Sequence, residues 1–182
     1  MTWESRSFGA GSSLSNRSAG RVRAVGISVR EATPNDWPAV ASLLAELGRP
    51  DVRGLEDEAQ HAGWFADYLG RPDTVALVAE VDGQVAGFLD LEFRQRLNFP
   101  TPQAWIPDLV VSETQRGRGA GAALMARAEE LSKERSCWGM TLESATWRTN
   151  AHRFYLREGY ADSAYSFSKS LTGEPWPPQP KD

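Results

Sequence analysis

Leu109-Val110-Val111-Ser112-Glu113-Thr114-Gln115-Arg116-Gly117-Arg118-Gly119-Ala120-Gly121-Ala122-Ala123-Leu124 is the stretch whose reading decides the fold. An apolar strand ends, a turn rich in arginine and glycine follows, and a helical pattern starts at once. The predicted helix runs from Gly117 to about Glu134, with Leu124, Ala128 and Leu131 on its apolar stripe. Such a turn has the chemistry of an anion site. Gly117, Gly119 and Gly121 let the backbone approach a ligand closely, and the unpaired amides at the helix start point at phosphate oxygens with the helix dipole behind them. Arg116 and Arg118 add charge-assisted contacts. The competing reading is an ordinary strand-to-helix turn that happens to be glycine-rich. Neither common nucleotide motif is satisfied, because no Gly-Lys-Ser/Thr closes the turn and no Gly-x-Gly-x-x-Gly sits in a parallel βαβ unit near the N-terminus.

Working outward, Ala104 to Val111 reads as a strand leading into the turn, and Cys137 to Leu142 as a strand after the helix. Asn150 to Arg157 reads as a short helix and Tyr160 to Leu171 as a last strand region. Upstream, Thr74 to Val81 and Gln84 to about Arg96 form a hairpin about Asp82-Gly83. Its second strand alternates, Leu89, Leu91 and Phe93 against Asp90, Glu92 and Arg94. A first strand spans Ile27 to Glu31. Thr33-Pro34-Asn35-Asp36 then offers a cap to a helix bearing Val40, Leu43, Leu44 and Leu47, which Gly48 and Pro50 end. A second helix covers about Leu55 to Leu69. Two early helices followed by strands interleaved with helices imply an α/β fold with a mixed sheet under helical cover.

The 182 residues suit one domain, and 41% hydrophobic content supplies a core. Residues 1–26, small and polar with scattered arginines, read as a flexible extension; residues 27–172 form the domain. Residues 173–182, with four prolines, read as a flexible tail. The single cysteine, Cys137, excludes an internal disulfide, and His61 and His152 lack metal-ligand spacing, so no metal is expected. No stretch has the length of a signal or membrane-spanning segment, and a net charge of −4 gives no general pull toward nucleic acid. A cytoplasmic protein without membrane or nucleic-acid partners is the expectation.

The run from Gln115 to Leu124 resembles the acetyl-CoA signature of the GCN5-related N-acetyltransferase superfamily. Asn150-Ala151-His152-Arg153-Phe154-Tyr155-Leu156-Arg157-Glu158-Gly159-Tyr160 resembles its second motif, and the likeness covers about residues 27 to 171. The resemblance implies a mostly antiparallel central sheet flanked by helices, with acetyl-CoA as acetyl donor. It implies that the backbone of Leu109, Val110 and Val111 pairs with the pantetheine arm. The amides from Arg116 through Gly117, Arg118, Gly119, Ala120 and Gly121 to Ala122 would hold the pyrophosphate. In such enzymes a neutral amine attacks the acetyl carbonyl directly, a backbone N–H near Val111 steadies the oxyanion, and a tyrosine, here Tyr155, protonates the departing thiolate. The alternative for Tyr155 is a packed helix aromatic.

Two positions depart from the family pattern. The residue seven before Tyr155, often asparagine, is Arg148; Asn150, five before it, is the candidate cofactor contact. Some relatives carry a glutamate base where this chain has Pro107. The candidates that remain are Asp108 and Glu92, acting directly or through a water, and each also reads as an ion-paired surface carboxylate. Trp64, Phe65 and Tyr68, with Asp57 and Glu58 upstream, read either as an aromatic and acidic pocket for a cation or as cover for the sheet. Trp105 and Trp147 read as packing residues, His152 as a helix-face residue and Cys137 as core.

The leading expectation is therefore an acetyltransferase acting on a primary amine of a small molecule, such as an aminoglycoside, a polyamine or an amino-acid derivative. Acetylation of protein N-termini or lysines is the second enzymatic reading, and a non-catalytic acyl-CoA sensor the third. Because acceptor clefts in this fold are often completed by a second subunit, a homodimer is the assembly the resemblance allows.

Overall fold

The protein is described here by a computed structural model covering residues 26–171. The expected extension, apart from Gly26, and the expected tail lie outside the described residues. Six strands form one sheet in the order β1 (Ile27–Glu31), β2 (Thr74–Val81), β3 (Gln84–Arg94), β4 (Gln103–Ile106), β6 (Met140–Leu142), with β5 (Leu109–Val111) pairing β3. Every pairing is antiparallel except β4 with β6. The helices are α1 (Trp37–Leu47), α2 (Glu58–Leu69), α3 (Ala120–Glu134) and α4 (Thr149–Arg157). This is the mixed, mostly antiparallel sheet under helices that the motif order implied.

Both faces of the sheet are covered. Leu77, Leu89 and Leu91 pack with Leu124, Met125 and Ala128 of α3 on one face. Ala76, Val78, Phe88 and Val110 pack with Val40, Leu43 and Phe65 of α1 and α2 on the other. Alternation along β3 divides its side chains between these two cores, so Asp90, of its polar set, lies buried beneath helices rather than in open water.

The start of α1 is fixed by charge. Asp36 lies in the single 3₁₀ turn before it, accepts the Thr33 N–H (2.7 Å) and takes both terminal nitrogens of Arg30 (2.8 and 2.7 Å). The Arg30 guanidinium holds the Asp36 carboxyl down at about 2. At the other end, Gly48 adopts φ +94, which an L side chain rarely tolerates, and turns the chain so that Arg49 reaches the sheet.

Two expectations are corrected. The strand expected over Ala104 to Val111 is two strands. Glu92 pairs with Trp105 and Leu89 with Leu109, so Asp90 and Leu91 face three residues, Ile106, Pro107 and Asp108. That extra residue is a β-bulge. Beyond it β4 continues beside β6, whereas β5 pairs only with β3, and the outer edge of β5 is left without a strand. Second, Tyr160 to Leu171 forms no strand. Tyr165, Phe167 and Leu171 stand exposed, so the segment buries too little apolar surface to hold a strand. Smaller differences are at boundaries: α2 starts at Glu58, β3 ends at Arg94, α3 starts at Ala120 and β6 at Met140.

Candidate active site

The turn between β5 and α3 carries its glycines for two different reasons. Gly117 (φ +78) and Gly119 (φ +98) take left-handed backbone, and a side chain on Gly117 would enter open space above the turn. Gly121 instead lies where a Cβ would stand 3.4 Å from Phe154 Cζ, so its role is the close approach of α3 to α4. The Ala123 N–H bonds Gly119 O at 3.0 Å, which opens the helical ladder, and the amides just before it have no helical carbonyl to reach. An anion with several acceptor oxygens fits this cradle. The arginine side chains are engaged elsewhere. Arg116 reaches Val111 O and Glu113 (both 3.1 Å), and Arg118 bonds Gln115 and Asp82. What the turn presents to a ligand is therefore mainly backbone.

α4 closes the gap that β5 leaves. Arg148, at its start, bonds Leu47 O at the end of α1, and His152 Nε2 meets Ala145 O at 3.0 Å. Asn150 Oδ1 accepts from Arg153. Tyr155 is largely enclosed. Burial raises its hydroxyl above the ordinary phenol range, the Arg148 charge pulls the other way, and the Asp108 charge adds to the rise. A phenol so placed keeps its proton at neutral pH and can give it away.

On the α1/α2 face, a cavity of about 210 Å³ is walled by Trp37, Trp64, Phe65, Tyr68 and Phe88, with Asp90 and Asp108 among its lining residues. Trp64, Phe65 and Tyr68 thus do form an aromatic pocket with acidic groups, but the acids are not the expected pair. Asp57 lies 3.4 Å from His61, and Glu58 accepts the Gly54 N–H. The two carboxylates come from the bulge and from the strand facing it.

The carboxylates differ in their partners. Asp108 Oδ1 accepts from Arg49 Nε and Nη2 (2.9 and 2.5 Å). Glu92 accepts from Arg94, whose guanidinium also lies over the Trp105 ring, 3.2 Å from its centroid. Among the described residues Asp90 has no cationic partner. Its Oδ1 accepts the Asp108 N–H at 2.7 Å, while the Asp90 N–H donates to Asp108 O at 3.2 Å, an exchange that pins the bulge. Burial, then the nearby Asp108 charge, push the Asp90 carboxyl up to about 7. Sequence reading passed over Asp90 because strict alternation put it on the polar face of its strand, which the fold covers with α1 and α2. The continuous run of small and apolar residues in β2 and β3 was the signal that both faces are covered.

Among the described residues no helix is long and apolar enough to cross a membrane, and Cys137 packs against the α3-side core, where burial raises its thiol.

Comparison with known proteins agrees with this architecture. The model of the acetyltransferase (GNAT) family matches residues 37–160. An aminoalkylphosphonate N-acetyltransferase of Salmonella typhimurium is 34% identical over 143 residues, covering 79% of this chain and 90% of that protein. An aminoglycoside N(6')-acetyltransferase type 1 of Klebsiella aerogenes is 24% identical over 138 residues, 75% of this chain and 90% of its own. A solved aminoglycoside N-acetyltransferase in complex with CoA superposes with a TM-score of 0.68 over 82% of this chain and 98% of its own, a likeness of fold at 16% identity. With its family signature, glycine turn and split sheet in agreement, the chain belongs to the GNAT family and is an acetyl-CoA-dependent N-acetyltransferase.

Proposed function

We propose that this enzyme transfers the acetyl group of acetyl-CoA to a primary amine of a small molecule, with the donor on the β5–α3 side and the acceptor in the aromatic cleft. The observation that carries the reading is the bulge at Pro107–Asp108. It frees the edge of β5 and, through Asp90 and Asp108, joins that edge to the cleft on the α1/α2 face.

In this reading the β5 edge over Leu109, Val110 and Val111 pairs with the pantetheine amides as a further strand would, with Arg116 releasing Val111 O. The amides from Arg116 to Ala122 hold the pyrophosphate, and the short helix of Asn150 flanks the arm. The bound co-substrate supplies an activated acetyl thioester. Tyr155 stands at the gap with a retained proton for the leaving sulfur, and the Val111 region offers an N–H to charge developing on the carbonyl oxygen. Asp108, paired with Arg49, holds the bulge.

A cleft of about 210 Å³ is below the size of pockets that enclose drug-sized ligands, which favours a compact amine over an extended peptide. The relatives that act on aminoalkylphosphonates and aminoglycosides support the same class. Free-thiol release from acetyl-CoA with a panel of small amines, and with lysine-containing peptides as a parallel arm, tests it. Turnover with the amines is expected; turnover confined to the peptides would contradict the reading.

A further inference from the structure

We propose that Asp90 is the catalytic residue that takes the proton from the incoming ammonium, and that its cleft selects compact cationic amines carrying no anionic group beside the nitrogen. The inference rests on the acetyl-transfer reading above and assigns the acceptor side of that site.

Three observations single out Asp90. Asp108 and Glu92 are both held by arginine, whereas Asp90 faces the cleft with no cation against it. Its Oδ1 is committed to the bulge amide, so Oδ2 is the oxygen left for a ligand. Tyr68, on the same walls, places its hydroxyl beside the Asp90 carboxyl. Burial, then the charges of Asp90 and Glu92, hold the Tyr68 hydroxyl protonated. It can accept from an ammonium that bonds Asp90.

The walls read the rest of the acceptor. Trp37, Trp64, Phe65, Tyr68 and Phe88 offer ring faces to a cation or an apolar body. Among the described residues no lysine or arginine lines the cleft, and the Arg49 guanidinium is spent on Asp108. A carboxylate or phosphonate beside the amine would meet Asp90 and Asp108 with nothing to neutralise it. The groups packed about Asp90 are Trp37 from α1, His61 and Tyr68 from α2, Glu92 along β3 and Asp108 from the bulge.

The step balances. Asp90 takes one proton from the ammonium, becoming a neutral carboxyl and leaving the amine a lone pair. As the N–C bond forms and the thioester C–S bond breaks, Tyr155 gives its proton to sulfur and recovers one from nitrogen. Asp90 then loses its proton to solvent through the open cleft. The sum is ammonium plus thioester to amide, thiol and one proton.

Calorimetric titration of the CoA-bound protein tests the proposal with phenethylamine, phenylalanine and 2-aminoethylphosphonate as probes. CoA binding is measured first, and its absence would defeat the acetyl-transfer reading itself. Given CoA binding, phenethylamine should bind at least about 10-fold tighter than either anionic probe. Asp90→Asn should leave CoA affinity unchanged, weaken phenethylamine about 10-fold or more, and remove the acidic-limb inflection from the pH profile of kcat/KM. Trp64→Ala, at a half-exposed wall position, should weaken the amine and spare CoA. Equal binding of the anionic probes would overturn the assignment, and so would an Asp90→Asn enzyme that keeps its pH profile and its kcat/KM within about threefold.

Discussion

Burial raises both Asp90 and Tyr155, and in the proposed reaction the consequences differ: a carboxyl near 7 is partly ionised at neutral pH and can accept a proton, whereas the phenol keeps its own for the leaving sulfur. Tyr155→Phe removes the donor and keeps the ring that packs between Phe154 and Tyr160. kcat should fall by about 10²–10⁴ with CoA affinity retained, as stopped-assay turnover and calorimetry would report. Asp90 carries a stability cost with a definite pH window. Its folded value lies near 7, above the ordinary carboxyl value of 3.8, so between those values the folded state holds the proton that the unfolded state has lost. Stability therefore falls as pH rises from about 4 to about 7, by up to roughly 4 kcal/mol at about 1.4 kcal/mol per unit. Asp90→Asn, which keeps an oxygen for the Asp108 N–H, should melt at higher temperature than wild type at pH 8 and lose that advantage near pH 4. An unchanged melting difference across this range would show that the carboxyl is not held neutral by the fold. Sequence alternation placed Asp90 on a polar face but could not foresee the helices over it, since the cover depends on α1 and α2, more than 20 residues away.

At the scale of elements, the β5–α3 turn was legible because its requirements are local. Left-handed backbone at Gly117 and Gly119 and a helix start immediately after them are written in seven consecutive residues. Gly119→Ala should destabilise the fold by about 1–2 kcal/mol from its φ of +98, and urea denaturation of the unliganded protein would measure it. Gly87 serves a different end. It pairs with Val111, and a Cβ there would stand 3.1 Å from Leu124 Cδ1 and 3.3 Å from Val110 O. Gly87→Val should cost about 1–3 kcal/mol by overpacking and also weaken CoA by displacing the β5 edge; wild-type CoA affinity in that variant would disconnect β5 from the cofactor. The bulge was not legible. A proline in mid-run marked the place, but the slip of one residue between β4 and β5 is set by their partners, β3 and β6, and no pattern within residues 104 to 111 carries it.

Across the whole molecule, the sheet separates two working surfaces and the bulge connects them. The glycine turn opens beside α3, the aromatic cleft lies beneath α1 and α2, and the Arg148 contact with Leu47 O ties α4 to the end of α1 at the junction. The expected last strand shows the limit of period alone. Tyr165 and Phe167 alternate as a strand would, yet both stand exposed and the segment forms no strand.

Calorimetric titration of CoA into the wild-type protein and into Gly117→Glu bears most directly on the central claim, that the backbone of the β5–α3 turn holds the cofactor. Gly117 has open space about its Cβ position, so the variant adds bulk and negative charge at the cradle without a steric clash, at about 1–2 kcal/mol of backbone strain from its φ of +78. The account predicts binding by wild type and a loss of about 100-fold or more in a variant whose circular dichroism is that of the native fold. Equal affinity in the two proteins would place the pyrophosphate elsewhere and contradict it.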